Sequence, residues 1–438
     1  MVEEKVQDKL STTSGPNIGN SKNMFDVTFS CGVSDAVLCN KVKTAFMTAG
    51  EIISSSLILN TVVTVNATFT DFCAQNVVDC TTQSGFVTLG GASPARTIFL
   101  QDDDGFVRLY PQALVKQFQF PKHPGFGPFD IFAMFNSVGS KYWFQGDPPI
   151  TPDQQDFLYV VLHEMVHGLG FSSNWLNDFS DGMTPQASLS GTDPNAPLVF
   201  LGFIESAFDK YMINIPKGTR ISASTDQLNK FSGKPIPINT GLPFKNQDDF
   251  VNAFTSSPNY KLAQNMLTLS TTPNSLGFLP HDTNKADDSI VLETSLTPFQ
   301  PGSSVSHVDY KTYNNTSDFL MKFLADRGTD LNTLITIRSA NKTDQNDLRL
   351  AISPKLILLL ETLGYTTPNH PNPYKPTIDI TSNSLNSTDN SIQPGSTAAT
   401  NTDNANNTKS DSMIIKPNLI LTFTLIILSI SIKSKYWP

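Results

Sequence analysis

Charge is scarce in this chain. Lys, Arg, Asp and Glu make up only 16% of 438 residues, the balance is acidic at −9, and no basic stripe or patch interrupts it. A surface that neutralises phosphates needs clustered Lys and Arg, so nucleic-acid binding is excluded as a function class. Cysteine is scarce too. The four residues fall into two close pairs, Cys31 with Cys39 and Cys73 with Cys80, both away from the histidines. An even number in local pairs fits two small disulfides and an oxidising compartment; the other reading is four reduced, buried thiols. N-x-S/T acceptors at Asn66, Asn314, Asn315, Asn341, Asn386 and Asn406 agree with the oxidising reading. No free cysteine precedes the domain in a pro-peptide-like stretch, so no latency segment is evident. The first 20 residues are polar, with Glu3 and Glu4 early, and hold no apolar core of a secretory leader. Because the cysteines and the far end of the chain both point outward, this is read as a lost first exon. What the chain does have is core material: 39% of its residues are apolar and 10% are aromatic, enough for one large domain or two.

Histidine is the residue whose few copies matter. Of six, His163 and His167 lie in the apolar run Phe157 to Phe171, with Glu164 between them. Residues four apart stand one turn above each other on a helix, so the two imidazoles can share one ion with Glu164 beside it. This is the H-E-x-x-H pattern of zinc peptidases. Zinc favours imidazole nitrogen, and a catalytic site uses three protein ligands plus water. The ion acidifies the water and polarises the scissile carbonyl, while a neighbouring carboxylate moves the proton. The plainer reading is a buried helix with two satisfied histidines and a Glu. An apolar helix, however, has no structural need for three polar groups so close together. Thr151 is expected as N-cap, with Pro152 at the first helical position and Gln154 completing a capping box. Gly170 ends the helix and frees a third ligand to come from elsewhere.

Along the chain, Phe25 to Ser30 alternates as a strand, Ala36 to Ser55 has helical spacing, and Leu57 to Phe72 reads as a second strand. Strand–helix–strand implies a parallel pair. The acidic run Asp102-Asp103-Asp104-Gly105 is read as a turn rather than a calcium loop, and Phe129 to Phe135 as a further strand. After Phe171, residues 203–212 and 247–254 look helical within a long segment rich in Ser, Thr, Asn and Pro. This segment, 172–301, is read as an insertion forming the far wall of a cleft. Ile352 to Leu363 is a last core helix before Gly364-Tyr365. The remaining histidines are His123, His281, His307 and His370. His307 and His281 both lie beyond the insertion, and Glu293 or Asp309 could supply a carboxylate ligand instead.

The stretch His163-Glu164-Met165-Val166-His167-Gly168-Leu169-Gly170-Phe171-Ser172 resembles the metzincin motif H-E-x-x-H-x-x-G, and in detail that of leishmanolysin-like enzymes. Where most metzincins carry their third histidine, this chain has Ser173. Leishmanolysin-like enzymes take the third histidine from beyond an insertion, in a G-S-H-W-like stretch, followed by an L-M turn with a methionine beneath the metal. Gly302 to His307 and Leu320-Met321 resemble that pair, with Ser-His-Val for Ser-His-Trp and Lys322-Phe323 for the usual small residue and proline. The run Asn136 to Gly170 is also similar to that of secreted bacterial zinc peptidases of this layout. The resemblance spans about Met24 to Tyr365 in element order. It implies an α+β, zincin (metzincin-like) domain with a twisted mixed sheet, a central active-site helix and the long insertion. It implies one catalytic Zn2+ on His163, His167 and His307, Glu164 as general base, and Met321 in the Met-turn. Proteases of this type often use an edge strand to hold substrate by strand addition, and Phe129 to Phe135 is assigned that place.

The expected organisation is a disordered segment 1–22, a metallopeptidase domain 23–367, a Ser/Thr/Asn-rich stalk 368–412 and an apolar tail 413–438. Leu419 to Ile432 falls short of the roughly 20 apolar residues of a spanning helix. It suits the tail of a GPI-anchor signal, with a single-pass helix as the alternative because Lys433 and Lys435 follow. The function so implied is a membrane-anchored, extracellular zinc endopeptidase acting on protein or peptide substrates. The alternatives are a zincin-fold adhesion or binding protein without turnover and a non-peptidase metal hydrolase.

Overall fold

The alternation at the start of the chain becomes an edge strand, β1 (Phe25–Cys31), and the first helical run becomes α1 (Ala36–Ser56). Asp35 caps α1 by accepting the N–H groups of Val37 and Leu38. The chain then returns as β2 (Val63–Thr70), parallel to β1 over its whole length. This is a computed structural model that describes residues 22–75, 80, 86–190, 197–236, 240–338, 347–377 and 431–433. Two further strands complete the first sheet: β3 (Gly90–Pro94) and β4 (Ile131–Asn136), in the order β1-β2-β4-β3. The β2–β4 pair is parallel and the β3–β4 pair antiparallel, so the sheet is mixed. Ile131 to Asn136 is therefore interior, and the edge lies at β3. The expectation missed this because Gly90, Gly91 and Pro94 are poor strand formers, tolerated at an edge rather than in the middle of a sheet.

One face of the sheet is apolar. Val63, Val65, Ala67 and Phe69 of β2 and Ile131, Ala133 and Phe135 of β4 are buried at every second position. Against it lie α1 and a second helix, α2 (Phe157–Gly168). Phe135 joins all three layers: its ring is 5.1 Å from Phe46 of α1 and 5.4 Å from Phe157 of α2. Aromatic pairs of this kind contribute about 0.5–1.5 kcal/mol each beyond the area they bury.

The helix α2 begins later than its capping signals suggested. Thr151 and Gln154 do bond to each other, but Gln154–Asp156 forms a short strand parallel to Lys141–Trp143. The cap is Asp156. Its carboxylate accepts Leu158 N–H at 2.8 Å and, with the other oxygen, Leu331 N–H at 2.7 Å. A charged cap serving two chain segments outcompetes a neutral capping box two to five residues upstream.

Beyond α2 the long insertion has more structure than its composition suggested. It contains Trp175–Phe179, Gly182–Ser190, Leu198–Ile204 and Leu242–Phe244 in one sheet. A second sheet combines Met212–Asn214, Thr219–Arg220, Leu276–Phe278 and Ile290–Val291. No α-helix forms over 203–212: the range begins in the strand Leu198–Ile204, holds one 3-10 turn at Asp209–Tyr211 and ends in the strand Met212–Asn214. The helix expected over 247–254 is present as Gln247–Thr255. The acidic run is a turn whose carboxylates are occupied by side-chain cations. Arg108, fully buried, reaches Asp102 at 2.9 Å, Asp104 at 2.8 Å and Glu205 at 2.9 Å, and Lys210 reaches Asp102 at 2.7 Å. A buried cation this well paired ties the insertion to the turn before Val107.

The last core helix, α3 (Pro354–Leu363), starts on a Ser353 cap and ends at Gly364. Both cysteine pairs are bridged, Cys31 to Cys39 and Cys73 to Cys80. The stalk assigned to 368–412 lies outside the described residues beyond Thr377, and so does the tail except Ser431–Lys433, which pairs antiparallel with Phe86–Thr88. Among the described residues no helix is long and apolar enough to cross a membrane.

Gly168 sets how closely α2 approaches the sheet. A Cβ there would lie 2.4 Å from Ile131 Cγ2 in the interior strand. Gly168→Ala is expected to destabilise the domain by about 1–3 kcal/mol, read as a lower urea midpoint at unchanged slope. A midpoint equal to wild type would show that the sheet gives way without cost.

Candidate metal centre

All twelve residues of α2 are buried, so polar side chains on it must find partners inside the protein. His163 and His167 share one face, one turn apart. His167 sits in the last turn, and the chain leaves the helix at Gly170, whose φ of +114° turns the backbone so that Phe171 folds back. The Phe171 carbonyl then lies 2.7 Å from His167 Nδ1. The Leu320 carbonyl lies 2.7 Å from His163 Nδ1.

The third imidazole arrives from the loop Gly302 to Asp309. Val305 in this loop has φ +67°, a region costly for a β-branched residue, and its N–H is held by the Glu293 carbonyl at 2.8 Å. The His307 carbonyl in turn accepts Glu293 N–H at 2.8 Å. The Ser303 carbonyl lies 3.0 Å from His307 Nδ1. A nearby backbone carbonyl thus takes the second ring N–H, and the Asp309 carboxylate does not. Asp309 instead caps the turn Tyr310–Tyr313 by accepting Thr312 N–H at 2.8 Å.

These three contacts decide the tautomers. A carbonyl only accepts, so each Nδ1 must donate and carry the proton. Each neutral ring then presents a bare Nε2. The three Nε2 atoms converge, at 3.0 Å between His163 and His167, 3.1 Å between His163 and His307, and 3.2 Å between His167 and His307. Three lone pairs facing one another with no proton between them repel, and a cation at their centre would relieve the conflict. Zn–N bonds of about 2.0–2.1 Å in a tetrahedral site place ligand nitrogens at about these separations. Burial, joined for His167 and His307 by the neighbouring imidazoles, disfavours protonation: it pushes His163 down to about 4 and the other two well below the usual histidine range. The three histidines, all fully buried, form a group that can hold a metal ion.

The other candidates fall elsewhere. His281 stacks on His370 with ring centroids 4.2 Å apart, its Nδ1 3.0 Å from Thr362 Oγ1. His123 packs against Phe126. The Glu293 carboxylate is occupied by Ser295 N–H at 2.8 Å and Tyr310 N–H at 3.0 Å. Glu164 is fully buried on α2 beside His163. Leu320 gives its carbonyl to His163, and Met321, next in sequence, is buried and lines an apolar pocket with Phe171, Leu320 and Leu356. The turn after it is held by Lys322, a buried ammonium 2.7 Å from Asp326 and 2.6 Å from Asn314 Oδ1. A paired lysine thus stands where the family resemblance expects a small residue.

Three functional groups were invisible in the sequence: the carbonyls of Phe171, Ser303 and Leu320. A backbone oxygen has no residue signature. Only Phe171 leaves a trace, because Gly170 predicts a sharp exit three residues after His167.

Comparison with known proteins places the chain. The family model described as SPBPB7E8-like matches residues 4–401. The chain belongs to this family. The SPBPB7E8-like chain is 30% identical over 383 residues to "Uncharacterized protein PB7E8.01" of Schizosaccharomyces pombe, a match covering 80% of this chain and 64% of the relative. It thus spans less than two thirds of that relative's length. No solved structure matches it.

Removing one ligand should unload the site. His307→Ala of this SPBPB7E8-like chain is expected to lose most bound metal, and His281→Ala to keep wild-type content, measured by elemental mass spectrometry after dialysis. Equal metal in His307→Ala and wild type would remove His307 from the ligand set.

Proposed function

We propose that this chain is a zinc-dependent endopeptidase of the zincin type, leishmanolysin-like in its ligand order. The observation that carries the reading is the convergence of three unprotonated Nε2 atoms beside a buried carboxylate, Glu164, on the same helix. Zinc bound there supplies a Lewis acid that acidifies water and polarises a carbonyl. The chain's own residues supply the rest. His163, His167 and His307 would hold the ion. Glu164 takes the proton of the attacking water and returns it to the leaving amine nitrogen, which separates the role of base from that of ligand. The strand β3 ends the sheet, and its outer edge offers backbone N–H and C=O groups to an extended peptide. Met321 and Leu320 form the floor behind His163. Two disulfides support an oxidising compartment, and the apolar C-terminal tail supports attachment to the outer face of a membrane by a lipid anchor.

One observation favours a second reading. His163, Glu164, His167 and His307 have no exposed surface, as in a site that staples the fold of a binding or adhesion protein. Casein cleavage by the zinc-loaded protein separates the two. Wild type is expected to cleave, and Glu164→Gln to keep zinc while losing about 10²–10⁴-fold in turnover. A zinc-loaded wild type without turnover would favour the binding protein, and undiminished turnover in Glu164→Gln would remove Glu164 from the mechanism.

A further inference from the structure

The position where short metzincin-like motifs carry their third histidine is Ser173, and its side chain is not turned to the metal centre. Ser173 Oγ donates to Asp209 Oδ1 at 2.7 Å. The other Asp209 oxygen accepts Asn174 N–H at 2.9 Å, Ser206 N–H at 2.8 Å and Ser206 Oγ–H at 3.0 Å. Asp209 is fully buried, and among the described residues no Lys or Arg forms an ion pair with it. A buried carboxylate without a counter-ion is costly unless its acceptor sites are filled, and here four donors fill them. Two of those donors, from Ser173 and Asn174, lie at the exit of α2, and the other two belong to Ser206 in the turn that faces it. The Ser206 hydroxyl also lies 3.0 Å from the Ser172 carbonyl, so its one proton is shared between that carbonyl and Asp209. One residue further back, the Phe171 carbonyl holds His167. On its other side Ser173 donates its N–H to Ser306 Oγ at 3.2 Å, and Ser306 precedes His307.

One carboxylate from the insertion therefore governs the two segments that deliver different ligands. It orients Ser173, whose backbone clasps the His307 loop, and it fixes the segment whose carbonyl sets the His167 tautomer. We propose that Asp209, acting through Ser173 and Ser306, is the positioning residue that sets the third imidazole against the first two. The insertion thereby completes the metal centre instead of only lining a cleft. This rests on the metal-site reading above. The arrangement also explains why the short-motif position holds serine: a hydroxyl both accepts Trp175 N–H at 3.2 Å and donates to Asp209, which an imidazole directed at the metal could not do.

The test compares wild type with Asp209→Asn, Ser173→Ala and Ser306→Ala. It reads zinc release to a chelator, the visible absorption of the cobalt(II)-loaded protein, and the Tm of the metal-free protein. Outer contacts of this kind typically change metal affinity by about 10–100-fold. The expected result is zinc release faster by that order in all three variants, with an altered cobalt spectrum, while metal-free Ser306→Ala melts with wild type. Ser306→Ala is the mild variant, so the result stands even if Asp209→Asn folds poorly. Wild-type release rates and spectra in Ser173→Ala and Ser306→Ala would overturn the positioning role and leave the metal site standing. A wild type that takes up neither zinc nor cobalt would overturn both.

Discussion

Three imidazole nitrogens that cannot donate to one another meet inside the protein. Each ring is locked by a carbonyl on its Nδ1 side, so no tautomeric exchange relieves the crowding of Nε2 lone pairs at 3.0–3.2 Å. Much of the surrounding structure holds this arrangement in place. The helix α2 spaces two rings by one turn. Gly170 turns the chain so that the Phe171 carbonyl reaches His167, and the Leu320 carbonyl braces His163. The strained Val305 and the Glu293 backbone hold the His307 loop. Strain and buried polarity of this sort persist where the surroundings over-determine them, which is what a preorganised metal site requires.

The fold serves that helix. A four-stranded mixed sheet takes α1 and α2 on one face, with Phe46, Phe135 and Phe157 interlocked between the layers. Gly168 lets the ligand-bearing end of α2 lie directly on Ile131. The Asp156 cap joins the start of α2 to Leu331, and Asp209 joins its exit to the insertion. The helix is thus fixed at both ends by buried carboxylates that belong to no ion pair among the described residues, their charge met by hydrogen bonds alone.

The sequence made the ligands legible because their spacing is periodic and their chemistry rare: His163 and His167 one turn apart in an apolar run, and few other histidines from which to choose a third. The opening strand–helix–strand unit was legible for the same reason, since its apolar periods of two and 3.6 are clean. What stayed hidden had weak local signals. Gly90 to Pro94 reads as a turn, yet pairs at the sheet edge, because an edge strand needs little propensity. Two helix starts competed before Phe157, and Asp156 prevailed through a contact with Leu331 that lies far along the chain. Residues 203–212 carry apolar spacing that suits a helix, yet between two strands only Asp209–Tyr211 turns, as a single 3-10 helix. The carbonyls that set the tautomers, and the Asp209 cluster, depend on tertiary folding and leave no pattern to read.

The central claim is that His163, His167 and His307 hold one zinc ion. X-ray absorption at the zinc edge of the full-length protein tests it most directly. The account predicts one zinc per chain with three imidazole nitrogens at about 2.0–2.1 Å and one further light ligand. Zinc surrounded by six oxygens, coordinated by sulfur at about 2.3 Å, or not taken up at all would contradict it.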